Sequence, residues 1–215
     1  DPAGNIYLTG SAGSGLLTTV NAPFPSSSVA AGCIAPFVLK LDPSGKSILY
    51  STYVGLAGTQ GERCGAGSLY GIFDPTGYAI AVDPAGNAIV GGQAEPGVRA
   101  TPGSPDFGAK EAAVYVPTVQ GYASHAFVAK INPAGSAVVF IARLGGSQRD
   151  RVTSLALDAA GAIHLGGKTA SDDFPTTPHF GPIFPISYLS CPGFPNAPEM
   201  GFITKLAGLA HIFEF

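Results

Sequence analysis

The sequence predicts an all-β protein of short antiparallel strands, and two features of composition and one of pattern carry that prediction. Glycine and proline contribute 30 and 19 of the 215 residues, about twice their usual combined share, so helix breakers interrupt the chain throughout. Charged residues make up only 12% and hydrophobic residues 46%, which excludes a disordered chain. The third feature is an internal repeat, which defines the strands.

Two motifs recur three times along the chain. The first is Asp-Pro-Ala-Gly-Asn followed by an apolar run that ends in glycine, at residues 1–10, 83–92 and, with substitutions in the turn, 158–167. The second is Phe-x-x-Lys followed by a proline–glycine turn, at residues 37–45, 127–135 and, in shortened form, 202–208. Such constant spacing indicates one structural unit repeated in tandem.

The middle unit predicts four strands, at residues 78–82, 88–92, 126–131 and 137–143, because each of these segments is short, apolar and rich in β-branched or aromatic residues. Asp-Pro-Ala-Gly-Asn joins the first pair and Asn-Pro-Ala-Gly joins the second. Proline presets φ and glycine supplies the left-handed residue that closes a hairpin. Calcium binding is the alternative for these acidic turns, but they lack the dense carboxylates of a calcium loop.

Four antiparallel strands repeated in tandem form the blades of a β-propeller. We therefore predict a single partial propeller over residues 1–215, with blades at about 1–55, which lacks its first strand, 78–145 and 152–215. Propellers usually close with about four to eight blades. We expect further blades or a second copy to cover the apolar faces that about three blades leave open.

Segments 49–55, 80–87, 125–130 and 171–177 carry a family resemblance. Through them the chain resembles bacterial SBBP repeats, which are named for a seven-bladed β-propeller, and it is distantly similar to NHL repeats. The resemblance implies an extracellular, cell-surface or periplasmic bacterial protein, commonly part of a larger multidomain chain. It implies no catalytic residues.

The long connections are predicted to share one face. Successive connections of a meandering blade alternate between its two ends, so the short turns lie at one end and connections 10–37, 92–127 and 167–202 lie at the other. Binding residues concentrate in loops on a rigid scaffold. We expect this face to bind a protein or glycan partner. The alternatives are loops that only cover the blade edges, and a purely structural spacer within a larger surface protein.

All three cysteines fall on this predicted face. Cys33 and Cys64 flank the same blade, so we expect a Cys33–Cys64 disulfide, as suits an extracytoplasmic protein. Cys191 would then be free or paired with a further segment. A zinc site is the alternative, but there is no Cys-x-x-Cys spacing and the four histidines are scattered, so we predict neither a metal nor a cofactor.

His179, in a proline-rich stretch, is the best candidate for a ligand-binding side chain. Asp172 and Asp173 lie nearby in the sequence, although we expect them to cap a turn. Asp150 and Arg151 are expected to begin an inter-blade turn as a local ion pair worth less than about 1 kcal/mol.

Catalysis has little support in the sequence. There is no Gly-x-Ser-x-Gly motif, and the predicted innermost strands supply no cluster of acids or histidines. We therefore predict a non-catalytic binding or scaffold module. A propeller enzyme of the lyase, lactonase or glycosidase type is the alternative.

Lys40, Lys130 and Lys205 recur at one position of the second motif. They could form a ring that binds anions, or each could pack its stem and keep its amine in water. The net charge of −3 and the 11 scattered Lys and Arg residues argue against nucleic-acid binding. No apolar run is long enough to span a membrane.

Overall fold

The computed structural model describes residues 1–55, 75–94, 98–104, 106–107, 115–116, 121–122, 124–171, 173–175, 199–207 and 212–214. Within these ranges the protein consists of β-sheets with almost no helix, so the all-β prediction is confirmed. The helical element described is a single 3-10 turn at Ser26–Ser28.

Three sheets follow one another along the chain. The first has the order β1-β2-β3, formed by β1 (Ile6–Gly13), β2 (Ile34–Leu41) and β3 (Ile48–Tyr53). The second has the order β4-β5-β9-β10-β6, formed by β4 (Thr76–Val82), β5 (Ala88–Ala94), β6 (Asp106–Phe107), β9 (His125–Ile131) and β10 (Val138–Leu144). The third has the order β11-β12-β13-β14, formed by β11 (Asp150–Leu157), β12 (Ile163–Thr169), β13 (Met200–Ala207) and β14 (Ile212–Glu214).

The middle sheet departs from the predicted four-stranded blade. The two-residue strand β6 pairs in parallel with the end of β10, where Asp106 lies opposite Arg143. The sheets therefore hold three, five and four strands, and the expectation of a four-stranded middle blade is wrong. The extra strand comes from the long connection after β5, which also contains a small hairpin of β7 (Tyr115–Val116) and β8 (Gly121–Tyr122). Two-residue strands are too short to show an alternating pattern in the sequence.

The hairpin turns form as the sequence predicts. In the turn between β4 and β5, Gly86 has a φ of 85°, a left-handed conformation that glycine adopts without steric cost. Its N–H donates to the Asp83 carbonyl at 2.9 Å, and the Asn87 N–H donates to Asp83 Oδ1 at 2.9 Å. The corresponding turns after Asp1 and Asp158 make the same backbone bond. The Asp-x-x-Gly pattern is therefore accounted for by turn geometry.

The sheets pack face to face in chain order. One apolar core joins the first and second sheets, and includes Val38, Tyr50, Val90, Phe127 and Ile141. A second core joins the second and third sheets, and includes Ile89, Val128, Leu144, Val152 and Leu165. Because successive side chains of a strand point to opposite faces, Val90 packs against the first sheet and Ile89 packs against the third. Burial of such side chains stabilises the stack by roughly 1.5–3 kcal/mol each.

Candidate functional site

The strands of each sheet end on two sides of the sheet, and each of these sides is called an edge here. The hairpin turns that begin at Asp42, Asp83, Asn132 and Asp158 lie at one edge, the turn edge. Long connections leave the opposite edge, the loop edge, where β1 ends at Gly13 and β12 ends at Thr169. Tight hairpins close one edge, so the long connections project from the other, and the loop edge is where candidate binding groups collect.

The first conspicuous feature of the loop edge is the connection from β10 to β11. We call this connection, residues 145–150, together with Ser171 and Asp173, whose side chains bind it, the seam. Three successive backbone N–H groups of this connection each donate to a side-chain oxygen. The bonds run from Gly146 N to Asp150 Oδ2 (2.8 Å), from Ser147 N to Asp173 Oδ1 (2.6 Å) and from Gln148 N to Ser171 Oγ (2.9 Å). The third sheet thereby fixes the chain that leaves the second.

Asp150 is the central group of the seam. Its side chain is buried, with 1% of the residue exposed, and Oδ2 also accepts a hydrogen bond from Ser171 Oγ at 3.0 Å. Burial raises the pKa of Asp150 to about 7, because it outweighs the hydrogen bonds that favour the carboxylate. The nearby Asp173 carboxylate raises this pKa further.

Two glycines make this close approach possible. A Cβ placed on Gly145 would lie 2.7 Å from both Asp150 Oδ2 and His125 Nδ1. A Cβ placed on Gly146 would lie 2.2 Å from Asp173 Oδ1. His125 is itself buried at the start of β9, with 3% exposed. The Gly-Gly pair thus lets His125 and the two acids pack directly around the backbone.

The seam brings a serine, a histidine and an aspartate together, but its hydrogen bonds suit a structural role. Nucleophilic catalysis requires a base to take the serine proton while a third group orients that base. Ser171 has one hydroxyl proton, and it is donated to the Asp150 carboxylate. The same oxygen accepts the Gln148 N–H. The seam therefore holds two sheets together and does not present an activated hydroxyl.

Asp150 and Arg151 do not form the predicted local ion pair. Arg151 Nη2 instead lies 2.6 Å from Glu199 Oε2, while Asp150 turns into the seam. Successive side chains of a strand point to opposite faces. The side chains of Asp150 and Arg151, which are adjacent on β11, therefore point away from each other. That expectation is wrong for this geometric reason.

The second conspicuous feature of the loop edge is the connection between β1 and β2, residues 14–33. Leu17 is 79% exposed and Val20 is 100% exposed. Between them, Thr19 N and Thr19 Oγ1 both donate to the carbonyl of Ser51, at 3.0 and 3.2 Å. The backbone that carries two exposed aliphatic side chains is therefore fastened to strand β3.

The same connection is anchored on both sides of this exposed pair. Leu16 N donates to Tyr53 Oη at 3.1 Å, and the Tyr53 hydroxyl donates to the Gly13 carbonyl. Cys33 is buried with 4% exposed and takes part in a disulfide. The other two cysteines lie outside the described residues, so the Cys33–Cys64 pairing stays a prediction.

The sequence-predicted site residues fare differently. Asp173 Oδ1 accepts the Ser147 N–H from a connection 26 residues away in the sequence, and its expected role as a local turn cap stays a prediction. Phe174, the next residue, packs in the core between the second and third sheets. Asp172, His179 and Cys64 lie outside the described residues, so their assignments as binding or disulfide residues stay predictions.

The recurrent lysines lie at the turn edge and are paired within their own sheets. Their amines contact the first aspartate of the hairpin turn, in the pairs Lys40–Asp1 (3.5 Å), Lys130–Asp83 (2.8 Å) and Lys205–Asp158 (3.4 Å). These pairs were not predicted from the sequence, although the aspartate and the lysine both recur in every unit. Each lysine serves a turn, which leaves the anion-binding ring without support in the described contacts.

In the first and third units, the side chain two residues after the turn also contacts the aspartate that begins it. Tyr7 Oη donates to Asp1 Oδ2 at 3.0 Å, and His164 Nε2 lies 3.0 Å from Asp158 Oδ2. Hydrogen bonds from His164 and from the backbone, together with Lys205, lower the pKa of Asp158 to about 2. In the middle unit burial acts to raise the pKa of Asp83, but hydrogen bonds from Lys130 and Asn87 outweigh it and lower that pKa.

Comparison of the sequence with protein-family models and with curated proteins finds no match. Among the described residues, no group of three or more His, Cys, Asp or Glu side chains is placed to hold a metal ion. The part of the chain that the structure describes also contains no helix of the length and apolarity that a membrane span requires.

Proposed function

We propose that the three sheets are consecutive blades of a β-propeller and that the protein is a non-catalytic binding or scaffold module. Its loop edge binds a protein or glycan partner at the surface of, or outside, a bacterial cell. The blade assignment is supported by the way the sheets pack. Equivalent positions of successive units, Val38 and Val128, lie in the first and second inter-sheet cores respectively, as in a tandem array.

The observation that carries the binding proposal is the exposed pair Leu17 and Val20 on an anchored loop. Exposed aliphatic side chains are hydrated unfavourably, so a partner that covers them gains free energy of binding. A backbone that is already held in place loses little further conformational entropy on binding. The hydrogen bonds from Thr19 to Ser51 hold this backbone in place without any partner. The loop edge is thus organised in advance for contact with a partner.

The disulfide at Cys33 supports a location outside the cytoplasm. Disulfides persist in oxidising compartments and are rare where cellular thiols keep cysteines reduced. The secreted, cell-surface or periplasmic location expected from the sequence is therefore part of the proposal.

The non-catalytic assignment is supported by the seam. Its serine, histidine and aspartate are between 1% and 3% exposed, and the hydrogen bonds of Ser171 and Asp150 close the connection between two sheets. The enzyme alternative has no comparable observation in its favour among the described residues.

A binding comparison between two double variants tests the proposal. Leu17→Asp/Val20→Asp places charge on the loop edge, and Ala85→Asp/Ala134→Asp places the same charge on exposed positions of the turn edge. The probes are a printed array of bacterial and host cell-surface glycans and a panel of immobilised extracellular matrix proteins. We expect the wild-type protein and the turn-edge variant to bind a common probe and the loop-edge variant to lose at least tenfold in affinity.

Equal binding by both variants would contradict the assignment of the loop edge. A wild-type protein that binds no probe on either panel would favour the purely structural spacer. Matched thermal melting of the two variants shows that a difference in binding is not a folding defect.

A further inference from the structure

The first and third sheets each leave one face uncovered by the described residues. On the first sheet this open face contains Ile6, Leu8 and Ile48, which are 41%, 43% and 48% exposed. Leu41 and Leu39 lie opposite Ile6 and Leu8 in the register of β2, so the exposed side chains form one apolar surface. Contiguous exposed apolar surface of this kind marks an interaction site.

The internal repeat shows what covers this surface elsewhere in the molecule. Leu8, Val90 and Leu165 each stand seven residues after the aspartate that begins their motif. Val90 is 0% exposed in the core against the first sheet, and Leu165 is 1% exposed in the core against the second. In both cases the covering element is the preceding sheet. Only at Leu8, among these three positions, is the side chain exposed.

The third sheet presents the opposite situation. Val38, Val128 and Ile203 each follow the phenylalanine that begins the second motif. Val38 and Val128 are both 0% exposed, because the following sheet packs on them, whereas Ile203 is 86% exposed. Lys205 and His164, on the same face by register, direct their polar atoms to Asp158 at the turn edge. Ile203 is thus left as the prominent apolar group of this open face.

The two open faces are therefore the two halves of one kind of interface. At each internal junction the Val38-type face of one sheet meets the Val90-type face of the next. We propose that two copies of this chain associate head to tail, with the Leu8 face of each copy packed on the Ile203 face of the other. The occupant of each open face is then a second copy of the same chain.

A head-to-tail contact closes into a ring when its rotation allows. Two copies supply six sheets, and propellers close with about four to eight blades. Closure with two copies would bury both open faces of both chains. It would also leave every loop edge on one side of the ring. The inference rests on the packing of the sheets and not on the loop-edge ligand.

Light scattering coupled to size-exclusion chromatography tests the inference on the full chain. We expect the wild-type protein to have twice the chain mass of 21.7 kDa. Leu8→Asp and Ile203→Asp should each return the mass to that of a single chain. Val139→Asp is the matched control, because Val139 is 41% exposed on β10 of the middle sheet, and it should keep the wild-type mass.

Mixing the two single variants gives the sharper result. A pair made of one chain of each variant has two contacts. In one contact the two introduced aspartates face each other, and in the other native Leu8 meets native Ile203. We expect the equimolar mixture to recover the double mass in part, while neither variant does so alone. Such recovery is specific to a contact between the Leu8 face and the Ile203 face. If two identical faces met instead, mixing the variants would create no contact between two native faces that either variant lacks alone.

Three outcomes would overturn the proposal. These are a single-chain mass for the wild-type protein at millimolar concentration, an unchanged mass in either aspartate variant, and a mixture that stays as monomeric as its components. The variants keep Leu17 and Val20, so loss of assembly with retained probe binding separates this inference from the proposed function.

Discussion

Lys130 Nζ lies 2.8 Å from Asp83 Oδ2, and this pair ties the first hairpin turn of the middle sheet to its third strand. Both side chains are largely buried, at 14% and 11% exposed. Asn87 Nδ2 donates to the same carboxylate oxygen at 2.8 Å. The recurrent Asp and Lys of the repeat are therefore explained as a link across each sheet at its turn edge.

Loss of this link should destabilise the protein. In Lys130→Met the stem is kept and the charge is lost, which leaves the Asp83 carboxylate poorly solvated. We expect the free energy of unfolding in urea to fall by about 2 kcal/mol. Lys46→Met, at an exposed position of the turn between β2 and β3, is the control and should change it by less than about 0.5 kcal/mol. Equal effects of the two substitutions would count against the link.

The turns show how far sequence alone can go. Asp-Pro-Ala-Gly-Asn predicts a hairpin because proline and glycine act on the local backbone, and the turn at Asp83 forms as expected. The lysine that completes the turn lies 47 residues later. No local rule connects the two, so only the sheet topology shows that Lys130 and Asp83 meet.

The seam was harder to predict for a related reason. Asp150 looks like an ordinary turn residue beside Arg151, and its burial results from packing between two sheets. Local sequence contains no signal for the distant Ser171 and Asp173 that bind the same connection. The Gly-Gly pair at residues 145–146 is the one local sign that side chains approach the backbone closely there.

Asp150 should make stability depend on pH in an unusual direction. Its pKa of about 7 in the folded state lies above the ordinary value of 3.8, so the folded protein holds a proton that the unfolded chain releases. The contribution is fully present below about pH 4 and is lost as pH rises through about 7. We expect wild-type stability relative to Asp150→Asn to fall by about 2 kcal/mol between pH 5 and pH 8.

Urea unfolding of both proteins at the two pH values measures this difference. Subtracting the variant removes the opposite contributions of Asp83 and Asp158, whose pKa values are lowered in the folded state. The titratable side chains beside this connection, His125 and Asp173, are both kept in the variant. A wild-type-minus-variant difference that is independent of pH would show that Asp150 is not buried as described.

Gly145 should tolerate no side chain. In Gly145→Ala the new Cβ would lie 2.7 Å from both Asp150 Oδ2 and His125 Nδ1, and overpacking of this kind costs about 1–3 kcal/mol. Gly15→Ala is the matched control, because a Cβ at Gly15 meets no atom within 4 Å. We expect the melting temperature to drop clearly in the first variant and to stay within a degree or so in the second. A melting temperature unchanged in both would argue against the crowded seam.

The disulfide at Cys33 should stabilise the connection between β1 and β2. Cys33→Ser is expected to lower the free energy of unfolding by about 2–4 kcal/mol, and excess dithiothreitol should have the same effect on the wild-type protein. Peptide mapping without reduction should recover a Cys33–Cys64 peptide. A Cys33–Cys191 peptide would instead correct the predicted pairing.

The stacked arrangement of the protein depends on how one sheet packs on the next, and a size-exchange cycle across the second junction tests this packing most directly. A Cβ on Gly91 in β5 would lie 2.6 Å from Val152 Cγ1 in β11. Gly91→Ala should therefore cost about 2 kcal/mol, and Val152→Ala should relieve that clash. We predict that the double variant is more stable than the sum of the single effects by at least about 0.5 kcal/mol, measured by urea unfolding. Additive effects would mean that β5 and β11 do not meet at these residues and would contradict the stacked arrangement of the sheets.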